Sequence, residues 1–344
     1  MMKALVLEQY KQFALQDVPK PTLEPDSVLV RVRVCGICGS DIHGMDGSSG
    51  RRVPPLIMGH EASGVIAEVG AAVRDWKVGD RVTFDSTVYC GNCYFCRRGE
   101  INLCDNRRVL GVSTGEYRQH GAFAEYLAVP ARILYRLPDA VTFEQGAFVE
   151  PVSIAVHAVN RTPLHVGDTA VVVGSGMIGL LVVQVLRAAG CGQVIAVDLD
   201  PARLALACEL GADVGLRSDQ VDVAAAIRER TNGRGADCAF EVVGITPTIK
   251  LAVNSVRKGG QVTLVGNLAP SVELPLQAVV TREITLNGTC GSQGEYDVCL
   301  DMIARGVVRV EPLLSAVAPL DEGADWFARL YSGEPGLLKV MLQP

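Results

Sequence analysis

The segment that most narrows the fold lies in the second half of the chain. Thr169 to Val173 (TAVVV) is an unbroken apolar run, as in a strand buried on both faces of a parallel sheet. Gly174-Ser175-Gly176-Met177-Ile178-Gly179 follows, with the spacing G-x-G-x-x-G, and Leu180 to Ala189 then has helical composition. A glycine-rich turn between a strand and a helix predicts a dinucleotide-binding βαβ unit. The first glycine permits the tight turn, the second lets a pyrophosphate approach the backbone, and the third lets helix and strand pack closely. The unpaired N–H groups of the helix N-terminus then face the phosphates. Met177 and Ile178 belong to the same cofactor loop.

Asp198 ends the next short strand, Val194 to Val197, 19 residues beyond Gly179. A carboxylate there accepts hydrogen bonds from the adenine ribose hydroxyls and repels a 2′-phosphate, so NAD is expected over NADP. Arg203 lies on the following helix, Pro201 to Leu210, and is expected beside adenine. Asp200 is the expected cap of that helix, with Pro201 in its first turn. Cys238 to Val243, Gln261 to Val265 and Ile284 to Asn287 continue the strand series. The fold class is therefore α/β, with a doubly wound parallel sheet in this half.

The first third has a different texture. Val28 to Val34 (VLVRVRV) alternates apolar and charged residues, predicting a half-buried strand. Val65 to Val69, Arg81 to Phe84 and Ala122 to Val129 read as further strands. A β-rich domain over 1–153, a dinucleotide domain over 154–288 and a segment 289–344 returning to the first domain account for the 344 residues.

A formal net charge of -6 argues against nucleic acid as a partner. The opening MMKALVLEQYKQF carries charges and no apolar signal core. No apolar run reaches the roughly 18 residues that span a membrane, so a cytoplasmic protein is expected. There the 11 cysteines should stay reduced.

Four of those cysteines, Cys90, Cys93, Cys96 and Cys104, share the loop 86–106. Their spacing suits one tetrahedral zinc held by four thiolates, a closed sphere with a structural role. Chemistry must then lie elsewhere. Cys35, Cys38, His43, His60, Glu61 and Glu150 are the other ligand-type residues ahead of the dinucleotide domain. One thiolate, one imidazole and one carboxylate would leave a zinc an exchangeable position. Cys35-x-x-Cys38 also has the spacing of a redox pair.

The motifs CGICGSDIH, GHE, the four-cysteine loop, VEP, GSGMIG and the acidic strand end occur in that order. In this the chain resembles the zinc-dependent medium-chain dehydrogenase/reductase family over essentially its whole length, most closely the sorbitol, threonine and galactitol-phosphate dehydrogenase branch. The resemblance implies a GroES-like catalytic domain joined to a Rossmann domain, with the cleft between them. It implies Cys38, His60 and Glu61 as ligands of a catalytic zinc, besides the structural one. Glu150 either binds that metal directly or holds its water, and exchange with Glu61 is open. Asp41 would orient the ligating imidazole, and the substrate proton would leave through Ser40 toward His43.

The implied reaction is oxidation of a secondary alcohol of a polyol or sugar alcohol, with hydride passing to NAD. Where the branch often carries an Arg-Tyr pair, this chain has Gly291-Ser292, which departs from ordinary sorbitol recognition. A phosphorylated polyol is a further option, with Arg51, Arg52, Arg118 or Arg282 to bind the anion. An L-threonine 3-dehydrogenase-like enzyme, a zinc-ribbon interaction module and a non-catalytic NAD-binding redox sensor are the alternatives. The strand Ile284 to Asn287 would be a free sheet edge, and a homo-oligomer, dimer or tetramer, is expected.

Overall fold

The apolar runs of the second half become six parallel strands in one sheet. Their spatial order is Val214–Arg217, Gln193–Asp198, Thr169–Val173, Ala236–Glu241, Val256–Leu264 and Thr285–Gly288. The first strand of the series thus sits in the middle, the doubly wound arrangement in which a crevice opens at the strands' C-terminal ends. Val171 lies opposite Ile195 on one side and Ala239 on the other. With both faces covered, the central strand is apolar throughout, as the TAVVV run requires.

Helices close the faces. The helix Met177–Ala188 begins earlier than its composition suggested, taking Met177, Ile178 and Gly179 into its first turn. Its N-cap, Gly176, is extended backbone with open space where a Cβ would stand. The helix Pro201–Glu209 is capped as its sequence indicates: Asp200 Oδ1 accepts from Ala202 N at 2.8 Å.

In a computed structural model describing residues 1–112 and 119–344, the chain divides into two units. One comprises Met1–Glu150, Gln293–Arg305 and Val310–Pro344; the other comprises Pro151–Ser292 and Gly306–Arg309. Two details differ from the division expected of the sequence. The helix Val149–Asn160 runs across the first boundary. Residues 306–309 side with the parallel-sheet unit, because Gln184 clamps Arg309: Oε1 accepts its N–H at 2.7 Å and Nε2 donates to its carbonyl at 3.1 Å.

The hub of the first unit is the strand Ser27–Gly36. It pairs antiparallel with Glu61–Val69, with Tyr126–Pro130 and, at its last residues, with the C-terminal strand Lys339–Gln343. Alternation of charge predicted a half-buried strand, yet only Arg31 is exposed. Pairing and packing on both sides account for the difference, and Arg33 lays its guanidinium 5.9 Å from the centre of the Phe143 ring. The apolar face packs Val30, Val32 and Ile66 with Phe123 and Phe327 into one core. Among the described residues no helix is long and apolar enough to cross a membrane.

Candidate active site and metal centres

Cys38 is the N-cap of a single helical turn, Gly39–Ile42. Its Sγ accepts from Ser40 N at 3.5 Å, and Asp41 Oδ2 returns a bond to Cys38 N at 3.3 Å. This reciprocal cap fixes the thiol's direction on the short segment after the hub strand. His60 and Glu61 enter from the start of the neighbouring strand, Glu61–Val69. One donor atom each from Cys38, His60 and Glu61 lies within 4.8 Å of the others. His60 and Glu61 are buried and Cys38 is half-buried. A soft sulfur, an imidazole and a carboxylate this close fit a zinc ion, whose borderline character accepts all three.

His60 Nδ1 makes no hydrogen bond and faces Asp41 Oδ1 at 3.5 Å. Asp41 is also 2.8 Å from Arg52 Nη2, in an ion pair of which neither partner is more than 3% exposed. Burial would raise the Asp41 carboxyl, but the His60 and Arg52 charges outweigh it and hold the group well below the usual carboxylate range. A carboxylate kept ionised behind one ring nitrogen leaves the other free to ligate.

Glu150 stands apart from the 4.8 Å group. Its half-buried carboxyl is pushed up to about 7, first by burial and second by the Glu61 charge. Two carboxyls so placed resist simultaneous ionisation unless a cation joins them. Ser40 is exposed, and its Oγ accepts from Arg52 Nη2 at 3.0 Å. His43 is the exposed C-cap of the same turn.

Two buried cations stand behind the site, one of them not marked by any sequence motif. Lys339 was not singled out; it is 3% exposed and its Nζ lies 2.5 Å from Glu61 Oε2. Burial lowers its pKa, and the Glu61 and Cys38 charges more than reverse this, so the ammonium is held above its ordinary value. Arg52 was considered as a binder of substrate anions, but the structure spends its Nη2 on Ser40 and Asp41 inside the protein. Arg282 donates to the carbonyls of Val253 and Val256. Arg51 is exposed, and Arg118 lies outside the described residues.

The second cluster is built locally. The sulfurs of Cys90, Cys93, Cys96 and Cys104 lie within 4.8 Å of one another. Backbone N–H groups point at them: Cys96 N at Cys93 Sγ, 3.5 Å, and Cys90 N at Cys104 Sγ, 3.3 Å. The Cys90 thiol is held at about 6, first by the Asn92 N–H, while burial pushes Cys96 up to about 12. Four sulfurs at this distance keep their charge together only around a cation, and the set fits a four-thiolate zinc. None of the 11 cysteines is in a disulfide.

At the dinucleotide loop, Gly174 has φ +100°, and a Cβ on Gly179 would stand 1.9 Å from Gly174 O. The turn and the close packing therefore both require glycine. Ser175 N donates to Asp198 Oδ2 at 2.6 Å, while Asp198 Oδ1 accepts from Leu199 N and Asp200 N at 2.7 and 3.0 Å. Ser175 Oγ, beside these glycines, is buried without a hydrogen-bond partner. Arg203 Nε is 3.7 Å from Asp200 Oδ2, a surface ion pair.

Two family models match the chain. Residues 24–139 match the family model described as an alcohol dehydrogenase GroES-like domain, and residues 178–305 the one described as a zinc-binding dehydrogenase. Sorbitol dehydrogenase of Bacillus subtilis (strain 168) is 34% identical, covering 100% of this chain and 97% of its own. D-arabitol-phosphate dehydrogenase of Enterococcus avium is 35% identical over 97% of this chain and 94% of its own. A putative zinc-binding dehydrogenase from Sinorhizobium meliloti 1021, solved bound to NADP, superposes with a TM-score of 0.91 at 33% identity, over 100% of this chain and 99% of that one.

Proposed function

The chain belongs to the zinc-dependent medium-chain dehydrogenase/reductase family, and from that we propose that it oxidises a secondary alcohol of a polyol or sugar alcohol to the ketone, with NAD as hydride acceptor. The observation that carries the reading is the convergence of Cys38, His60 and Glu61 within 4.8 Å. Zinc held there supplies Lewis acidity that lowers the pKa of an alcohol, and NAD supplies the electron sink. The residues do the rest. Cys38, His60 and Glu61 would hold the metal, with the Asp41 carboxylate 3.5 Å from His60 Nδ1 drawing the ring proton to that side. Ser40 Oγ takes the substrate proton as its own hydroxyl proton moves on toward His43, while the Arg52 guanidinium, 3.0 Å away, fixes the position of that oxygen. Glu150, with its raised pKa, holds water at the site or exchanges with Glu61.

Two zinc ions per chain follow, one at Cys38 and one braced by Cys90, Cys93, Cys96 and Cys104. Asp198 supports NAD over NADP, although the Sinorhizobium relative carries NADP. An unphosphorylated polyol is favoured, since Arg52 and Arg282 already serve internal partners. The outer side of Thr285–Gly288 pairs with no described strand, which supports a homo-oligomer, dimer or tetramer, built on that edge. Reduced thiols suit the cytoplasm.

A panel of sugar alcohols, their phosphates and L-threonine, read as NADH and NADPH formation alongside metal content, tests all of this. The expected result is two zincs and NADH from an unphosphorylated polyol. Turnover with no metal bound at Cys38, His60 and Glu61 overturns the mechanism, and equal rates with both cofactors overturn the role of Asp198.

A further inference from the structure

The Glu61–Lys339 pair goes beyond the ligand set. We propose that Lys339 is a positioning residue that occupies Oε2 of Glu61, so that Glu61 offers the metal a single oxygen and one coordination position stays open for substrate. The inference rests on the metal reading above.

Three observations converge. Lys339 Nζ is 2.5 Å from Glu61 Oε2, with side chains 3% and 2% exposed, so no solvent competes for that oxygen. The ammonium is itself anchored, donating to Ile37 O at 3.1 Å on the segment leading into Cys38. Glycine at 36 leaves room for the pair: a Cβ there would lie 2.6 Å from Glu61 Oε2 and 3.3 Å from Lys339 Cδ.

Carboxylates bind zinc through one oxygen or two, and a bidentate Glu61 would fill the position that a substrate hydroxyl needs.

The test replaces zinc by cobalt in the full-length protein and reads its visible band, which weakens as the ion gains a fifth ligand atom. Lys339→Met and Lys339→Gln are compared with the parent. Loss of band intensity in Lys339→Met and in Lys339→Gln supports the proposal. Two cobalt ions per chain and a parent-like band in whichever variant folds overturn the proposal alone. A parent that binds only one cobalt overturns the metal reading and this proposal with it.

Discussion

The two cysteine-bearing clusters make opposite use of the same atom. In the loop 86–106, all four donors are sulfurs within fifteen consecutive residues, and the N–H groups that steady them come from the same stretch. Around Cys38, the donors are of three kinds and come from two segments, with a countercharge from a third, Lys339 on the last strand. A metal held by four thiolates would be closed to a reactant and would act as a brace. A mixed and incompletely filled sphere, backed by the buried charges of Asp41, Arg52 and Lys339, is built for exchange.

This contrast is most exposed to failure in Cys38→Ala. Turnover should fall on the order of a thousandfold, about 4 kcal/mol of transition-state stabilisation, while NAD titration stays near the parent's. A variant that keeps its rate would place the chemistry elsewhere. Cys104→Ser should act the other way round. Loss of the brace should cost about 3 kcal/mol of stability, seen as a lower Tm, with kcat unchanged at 25 °C in the folded fraction. A change confined to kcat would erase the distinction between the clusters.

Asp41→Asn probes the layer behind the imidazole. Metal affinity at the first cluster should weaken roughly 10- to 100-fold by chelator competition, with the four-sulfur site unaffected. The smallest effect belongs to Asn106→Ala. Asn106 Nδ2 is 3.7 Å from Cys90 Sγ near the surface, and its loss should cost no more than about 0.5 kcal/mol by thermal denaturation. A larger loss would mean that the brace depends on side chains as well as on backbone N–H groups.

Much of this was legible in the sequence, and the reason is distance along the chain. Gly174, Gly176 and Gly179 sit between a strand and a helix that are their own neighbours, so spacing alone announces the turn. The four-cysteine loop is as local. Cys38, His60 and Glu61 were legible as ligand types, and the short separation of the two antiparallel strands that carry them brings them together. Arg52 was misread, because a sequence shows the charge of an arginine but not whether it points outward or onto a buried Asp41. Lys339 was not read at all: it lies 278 positions along the chain from Glu61, and lysine in a C-terminal strand looks like any edge charge.

The doubly wound sheet, the dinucleotide turn, the four-cysteine cluster and the donor types near Cys38 could all be read from the chain, since each is set by spacing within one or two adjoining elements. Tertiary structure decided which donors are held, how far Glu150 stands from them, and which buried cations balance them. Electrostatic balance in a dry site depends on charges brought within a few ångströms by the whole fold, and chain order carries no record of that distance.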